Sequence, residues 1–137
     1  MLPVTPTICV GQPSRLDGTR CPDGKSILWL QIPDAPSNIK GDAAGEIKTT
    51  GGWDVATREA FADRIEAILE KHIRNFSAIK LKRVAYSPAD LERLNINLVG
   101  GDPYGGACTL YHIGAATHPG PGLGGGSGFN VAKSLGA

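Results

Sequence analysis

Residues 54–76 read DVATREAFADRIEAILEKHIRNF, and this stretch decides the fold. Acidic residues precede basic ones by four positions, Asp54 before Arg58 and Glu70 before Arg74, which favours one exposed helix face. A second set recurs at steps of three and four and would share the buried face: Phe61, Ile65, Ile68, Leu69, His72 and Phe76. The stretch predicts one long amphipathic helix in which His72 packs and does not bind a ligand.

Two apolar segments before this helix predict a β-hairpin. They are residues 7–10 and residues 26–32, the second of which is nearly continuous in apolar character and typical of a strand covered on both faces. Turn-forming residues around Pro13, Asp17-Gly18 and Pro22-Asp23-Gly24 separate the two segments. Residues 33–52, rich in proline and glycine, predict an irregular connection that could carry a mobile flap and act as the internal hinge.

The residues after the helix continue an α+β pattern. Residues 79–86 alternate apolar and basic side chains and predict a half-exposed strand with solvated lysines. Ser87, Pro88 and Asp90 then have the order of a capped helix start, which predicts a short helix through Leu94. The whole order predicts an α+β fold: a mostly antiparallel sheet, one long and one or two short helices, and a closing strand, glycine loop and helix.

The closing element is predicted from residues 112–128, HIGAATHPGPGLGGGSG. Eleven of the 19 glycines lie between Gly100 and Gly128, and such density suits a backbone that needs positive φ or is approached closely by another molecule. Residues 111–116 suit a buried strand, and Ser127 could cap a following helix. A turn entering a helix presents free amides to an anion or an electron-rich ring oxygen. The alternative is a glycine-rich tail without a ligand.

The same glycines raise the question of a self-contained dinucleotide site. Gly120, Gly122 and Gly125 match the pattern G-x-G-x-x-G. That fingerprint requires a following strand and an acidic residue about 20 positions on. Because no acidic residue follows these glycines before Ala137, we do not expect a Rossmann site here.

Composition narrows the class of protein. With 41% hydrophobic and 20% charged residues the chain has a globular composition, and its net charge of +1 gives no field that would steer nucleic acid. The three cysteines, Cys9, Cys21 and Cys108, have no metal-ligand spacing, so we expect reduced thiols and no metal site. No signal peptide or membrane-spanning run is visible, which predicts a cytoplasmic chain; peripheral membrane contact stays open.

Residues 114–122, GAATHPGPG, closely resemble the C-terminal flavin-contacting motif of the phytoene desaturase-like and carotenoid ketolase-like FAD-dependent oxidoreductases. Three other parts resemble late segments of that family in the same order: SRLD with CPDGK (residues 14–17 and 21–25), YSPADLE (86–92) and NLVGGD (97–102). The resemblance covers most of the chain but only the back of the family's sequence. Residues 1–52 contain no counterpart of its N-terminal dinucleotide-binding half, and an aromatic-rich stretch of the family is missing where Leu110 meets Tyr111.

The resemblance implies a substrate-side α+β domain over residues 1–110 and a flavin-contacting strand, loop and helix over residues 111–137. It implies FAD as cofactor and an apolar, carotenoid-like substrate. His118 is a weak candidate for a catalytic acid or base, and equally a residue that fixes the turn before Pro119. The residues that the resemblance places at the cofactor are Gly114, Ala115, Thr117, His118, Pro119, Gly120, Pro121, Gly122, Leu123, Gly124, Gly125 and Gly126.

The leading hypothesis is therefore the C-terminal portion of an FAD-dependent oxidoreductase of the dehydrogenase or desaturase type. A second hypothesis is a non-catalytic binding or self-associating module derived from such an enzyme, which would form homo-oligomers. A third is a fragment that folds only when paired with its missing N-terminal half.

Overall fold

The computed structural model of the protein describes residues 1–102, which divide between two compact units: Met1–Ala85, and a second unit that begins at Tyr86. The first unit contains strands β1 (Cys9–Gly11) and β2 (Trp29–Gln31) and helices α1 (Val55–Glu70) and α2 (Phe76–Ile79). The second contains helix α3 (Pro88–Leu94) and the 3-10 helix Val99–Gly101. An antiparallel strand pair together with three helices confirms the mixed α+β class; the predicted closing element lies outside the described residues.

The predicted hairpin is present but shorter than its apolar segments. Strands β1 and β2 pair antiparallel, with Cys9 opposite Gln31, Val10 opposite Leu30 and Gly11 opposite Trp29. The expectation that β2 is covered on both faces is wrong, because Trp29 is 65% exposed. A continuous apolar run predicts a strand, but it does not reveal whether the chain supplies a layer for each face.

Helix α1 begins directly after its N-terminal capping residue, Asp54. The Asp54 carboxylate accepts a hydrogen bond from the Thr57 amide at 2.7 Å, which satisfies one of the free N–H groups of the first turn. Phe61, Ile65 and Leu69 are buried from this helix, as the three- and four-residue spacing predicts. The core face of the long helix is confirmed at these positions.

The helix ends at Glu70, six residues before the predicted end. The Glu70 carboxylate accepts hydrogen bonds from the amide and hydroxyl of Ser77, at 2.8 and 2.6 Å, and Asn75 adopts a left-handed backbone with φ of 58°. This turn carries Ile73 to the core and leaves His72 exposed. The expectation that His72 packs on the buried stripe is therefore wrong.

The core of the first unit draws on distant parts of the chain. Its fully buried members are Leu2, Ile39, Phe61, Ile65 and Leu69. Leu2 reaches it through a parallel bridge to Asp42, in which the Leu2 amide donates to the Gly41 carbonyl at 2.8 Å and the Ala43 amide donates to the Leu2 carbonyl at 3.0 Å. The second residue of the chain is thus a core residue.

Residues 33–52 are irregular, as predicted, but they pack into the unit and do not form a peripheral flap. Ile39 is buried in the core and Ile47 packs against it. The Trp53 indole N–H, directly after the segment, donates to the Pro36 carbonyl at 2.8 Å, and its ring meets Phe61 edge-on at 5.9 Å. A segment fixed by buried side chains at its middle is a poor hinge.

A buried ion pair ties this segment to α1. The Arg64 guanidinium donates to both Asp42 carboxylate oxygens at 2.7 Å and to the Pro3 carbonyl at 2.9 Å. The side chains of Arg64 and Asp42 are only 9% and 1% exposed. The amides of Glu46 and Ile47 also donate to Asp42, each at 2.9 Å, so the ion pair joins residues 42–47, α1 and the segment at Pro3.

This geometry predicts acid sensitivity. Hydrogen bonds from Arg64, which outweigh the opposing effect of burial, hold the pKa of the Asp42 carboxyl well below its ordinary value. Because the folded pKa is depressed, the stabilisation is complete above the unfolded pKa of about 3.9 and is lost as pH falls from there toward the folded pKa. Urea unfolding between about pH 5 and pH 2 should show a slope for the parent chain steeper than that for Asp42→Asn by up to about 1.4 kcal/mol per pH unit. Equal slopes would contradict this account.

The predicted strand over residues 79–86 is absent from the described structure. Ile79 ends α2, and residues 80–86 have no regular secondary structure and pair with no strand among the described residues. Lys80 is exposed, as predicted for the lysines of this segment, and its Nζ lies 2.7 Å from a Glu66 carboxylate oxygen. The alternation of apolar and basic residues therefore predicted a strand wrongly, because it carries no information about a pairing partner.

Helix α3 matches the predicted bounds. The Ser87 hydroxyl accepts from the Asp90 amide while the Asp90 carboxylate accepts from the Ser87 amide at 2.9 Å, which is the reciprocal capping box. Pro88 occupies the first helical position, where the missing N–H costs nothing. The capping pattern of Ser87, Pro88 and Asp90 was therefore enough to predict where α3 begins.

Candidate functional site

The cofactor-contacting residues implied by the family resemblance, from Gly114 through Gly126 and including His118, lie outside the described residues. The predicted domain boundary between residues 110 and 111 lies outside them too. Both stay predictions. The candidate site that the structure describes is a groove in the first unit, formed by the loop between β1 and β2.

Local hydrogen bonds shape this loop into a fixed frame. Pro13–Arg15 and Gly18–Arg20 form two short 3-10 helices at the predicted turn-forming residues. Beyond the strand pair, the Ser14 hydroxyl accepts from the Ile27 amide at 3.1 Å, and Gln12 Nε2 donates to the Ser26 hydroxyl at 3.1 Å. These two side-chain bridges continue the hairpin where the backbone ladder stops.

Beside this frame lies a shallow, open groove of about 690 Å³ with a mostly apolar lining. Pro13, Leu16, Ile27, Leu28 and Trp29 supply that lining. Leu16 is 95% exposed, so its burial would contribute to binding an apolar partner. The groove offers shape and apolar area to a ligand and few hydrogen-bonding groups.

One ion pair marks the rim. Arg20 Nε lies 3.1 Å from a carboxylate oxygen of Asp17, and both groups line the groove. Hydrogen bonds from Thr19, with a smaller contribution from Arg20, lower the pKa of the Asp17 carboxyl, so it is ionised at neutral pH. Asp17 is committed to capping the second 3-10 helix, which makes it a structural carboxylate and a poor general base.

Within residues 1–102 the structure contains no group of three or more His, Cys, Asp or Glu side chains that could hold a metal ion. Cys9 and Cys21 are free thiols, and the Cys21 Sγ donates to the Lys25 carbonyl at 3.1 Å. None of the helices in this part of the chain has the length and hydropathy that crossing a bilayer requires.

The groove involves residues that the sequence analysis did not select. Leu16 and Asp17 belong to the stretch SRLD that carries part of the family resemblance, but Trp29 and Leu28 were expected in a buried strand. The apolar run by itself could not predict this exposure, because burial depends on which other segments pack against each face.

Two other stretches that carry the resemblance pack together in the second unit. The segment containing Ser87–Asp90 forms the start of α3, and the segment ending at Asp102 forms the 3-10 helix against it. Gly101 has a φ of 77°, and a Cβ placed on it would lie 2.6 Å from the Pro88 Cβ and closer still to the Pro88 backbone. This junction has room for glycine alone.

We expect Gly101→Ala to destabilise the second unit by about 2 kcal/mol, because the added methyl group meets both a left-handed backbone and the Pro88 main chain. Amide hydrogen exchange at Leu91 and Asn95, whose N–H groups form helical bonds of α3, should accelerate accordingly. Gly52→Ala is the matched control, since a Cβ there meets nothing within 4 Å. Unchanged α3 protection in Gly101→Ala would refute the steric argument.

No protein-family model matches the chain, and no solved structure matches it.

Proposed function

We propose that this chain is the C-terminal portion of an FAD-dependent oxidoreductase of the dehydrogenase or desaturase type that acts on an apolar, carotenoid-like substrate. The observation that carries the proposal is the sequence GAATHPGPG at residues 114–122, which occurs in family order with the three other similar stretches. The apolar groove supports an apolar substrate. Part of its wall, Leu16 and Asp17, comes from one of those stretches.

The described residues do not fit the pyrophosphate of FAD. Such a group binds at a helix N-terminus with free amides and no competing anion. Among the described helices only α1 is longer than two turns, and the Asp54 carboxylate at its N-terminus already accepts a hydrogen bond from one of the first-turn amides, that of Thr57. A second anion there would be repelled, so in this proposal the pyrophosphate is anchored outside residues 1–102.

In this proposal the chain itself binds the substrate and orients it against the flavin ring. The groove presents an apolar surface that would bury part of a substrate and displace water from it. Backbone amides of residues 122–126 would donate toward electron-rich atoms of the flavin ring, with Thr117 and His118 beside them. The flavin supplies the redox chemistry, and the protein supplies position and electrostatics.

The test is direct flavin binding. The purified chain is titrated separately with FAD and with lumiflavin, which is the ring system without a phosphate-bearing tail, and flavin fluorescence is followed. We expect both to bind, because the proposed contacts are to the ring, and we expect Gly122→Val to abolish both. Gly52→Val is the control and should bind both, since its site is open and far along the chain from the loop. A chain that perturbs neither flavin contradicts the proposal.

A second candidate function is a non-catalytic, self-associating module, and the exposed apolar groove favours it. Trp29 and Leu16 together expose large apolar side chains on one face of the hairpin. Apolar patches of this kind mark interaction surfaces in many soluble proteins. In this function the groove binds another protein surface instead of a small molecule.

Sedimentation equilibrium separates the two functions. The module hypothesis expects an oligomer that Trp29→Ser converts to monomer. Val55→Ser removes an equally exposed side chain, 65% in both cases, at the first position of α1, and should leave the oligomer intact. A monomeric parent chain excludes the module as a self-associating protein.

A further inference from the structure

The side chains of Lys80 and Arg83 connect residues 80–85 to α1, although from residue 81 onward the segment has neither buried large apolar side chains nor backbone hydrogen bonds among the described residues. Within residues 1–102, the amides of residues 81–86 donate no hydrogen bond. The apolar side chains Leu81 and Val84 are directed to solvent, both more than half exposed. An ordinary extended segment would show the opposite arrangement, with apolar groups inward and charges outward.

Ionic contacts supply the attachment. Arg83 Nη1 lies 2.7 Å from an Asp63 oxygen and 3.0 Å from a Glu66 oxygen, and its Nη2 lies 2.6 Å from a Glu59 oxygen. Lys80 adds a second cation at 2.7 Å from Glu66. The three acids are spaced by four and three positions, so they share one face of α1.

The titration behaviour of these groups agrees with the contacts. Burial is the largest single influence on the Arg83 guanidinium and lowers its pKa, but the hydrogen bonds to Asp63 and Glu59 and the nearby carboxylate charges together outweigh burial and raise the pKa. The hydrogen bond from Arg83, followed by that from Arg58, lowers the pKa of the Glu59 carboxyl. Both shifts favour the charged forms of Arg83 and Glu59.

We propose that residues 80–85 form an electrostatic strap, which Lys80 and Arg83 latch onto the acidic face of Glu59, Asp63 and Glu66, and which rising ionic strength releases. The side chains of Arg83 and Asp63 are 22% and 70% exposed, so dissolved ions reach the latch. Arg64, on the same helix, pairs with Asp42, and solvent barely reaches this pair. The same salt concentration should therefore leave the Asp42–Arg64 pair intact. Helix α1 thus takes part in two kinds of ionic contact: the Arg83 cluster, which dissolved ions can reach, and the Asp42–Arg64 pair, which they barely reach.

Release of the strap has two physical consequences. It frees about six residues before Tyr86, where the second unit begins, which adds up to roughly 20 Å of extended chain to the connection between the units. It also removes the cations Lys80 and Arg83 from the three carboxylates on α1. Ionic strength would therefore control both the length of the connecting segment and the charge displayed by the helix.

Backbone ¹⁵N relaxation of the full chain tests the strap. Raising the salt concentration from about 0.01 M to about 1 M shortens the Debye length from about 30 Å to about 3 Å. We expect the order parameters of residues 81–85 to fall from near 0.85 to below about 0.6, while those of α1 stay high. In Arg83→Gln they should be low already at low salt. Arg20→Gln, which breaks an exposed ion pair elsewhere, is the control and should behave as the parent chain.

Two further variants protect the test against a folding defect in Arg83→Gln. Asp63→Asn perturbs a mostly exposed partner and should shift the release to lower salt. The charge swap Asp63→Arg with Arg83→Glu should restore part of the order that Arg83→Glu alone removes. A strap that stays rigid in Arg83→Gln, or that is mobile at every salt concentration in the parent chain, overturns the proposal.

Discussion

Replacing Arg64 by methionine is expected to lower the free energy of unfolding by about 3–5 kcal/mol, the range observed when one partner of a buried ion pair is removed. Methionine keeps much of the apolar stem of arginine but leaves Asp42, whose side chain is 1% exposed, without its two shortest hydrogen bonds. The Pro3 carbonyl loses its donor as well. Urea unfolding monitored by circular dichroism measures the loss.

Two comparisons isolate the cause. Arg20→Met breaks an exposed ion pair with Asp17 and should change stability by less than about 0.5 kcal/mol. The double variant Asp42→Asn with Arg64→Met should recover about 1–2 kcal/mol relative to Arg64→Met, because a neutral amide costs less to bury and still accepts from the amides of Glu46 and Ile47. If Arg64→Met lowered the free energy of unfolding as little as Arg20→Met, the ion pair between Asp42 and Arg64 would not be a main source of stability in this unit.

Replacing Leu2 by alanine is expected to cost about 3 kcal/mol, although the residue stands at the second position of the chain. Leu2 is completely buried and contributes its side chain to the same cluster as Phe61, Ile65 and Leu69. Truncation to alanine removes the transfer free energy of the side chain and leaves a cavity. Chain ends are ordinarily tolerant of substitution, so this result would be specific to the observed packing.

The control for Leu2→Ala is the same substitution at Leu16, which is 95% exposed. Leu16→Ala should change the midpoint of thermal unfolding by no more than about 3 °C, whereas Leu2→Ala should lower it by more than about 10 °C. Equal effects at the two positions would mean that the bridge between Leu2 and Asp42 does not persist in solution.

Sequence reasoning succeeded where the signal is local. The cap at Ser87, Pro88 and Asp90 gave the bounds of α3, because hydrogen bonds within one helical turn satisfy it. Turn formers between β1 and β2 were correctly placed for a similar reason. The core positions Phe61, Ile65 and Leu69 followed from helical periodicity alone.

Prediction from the sequence failed where the residues that a side chain contacts come from distant parts of the chain. Nothing around Asp42 or Arg64 indicates that the two form a buried pair, and Leu2 resembles any terminal residue. The segment after α2 has a strand-like pattern, but its charges are satisfied by α1 and no strand among the described residues pairs with it. Burial, ion pairing and strand pairing between distant residues depend on the tertiary structure, about which the periodicity of a local segment gives no information.

The candidate site was predicted only in part. The flavin loop of residues 114–126 was found from glycine density and family resemblance, and it stays a prediction. The groove was missed, although its frame of Pro13, Asp17 and Pro22 had been recognised as turn formers. Burial of Trp29 was inferred from its neighbours, whereas exposure is decided by which layers cover the hairpin.

The bridge from Leu2 to residues 41–43 also has a kinetic meaning. The bridge closes a loop of some forty residues, and Leu2 also packs with side chains of α1 that lie still farther along the sequence. Because the chain loses the entropy of closing this loop before the distant contacts stabilise the unit, these contacts are expected to limit the rate of folding.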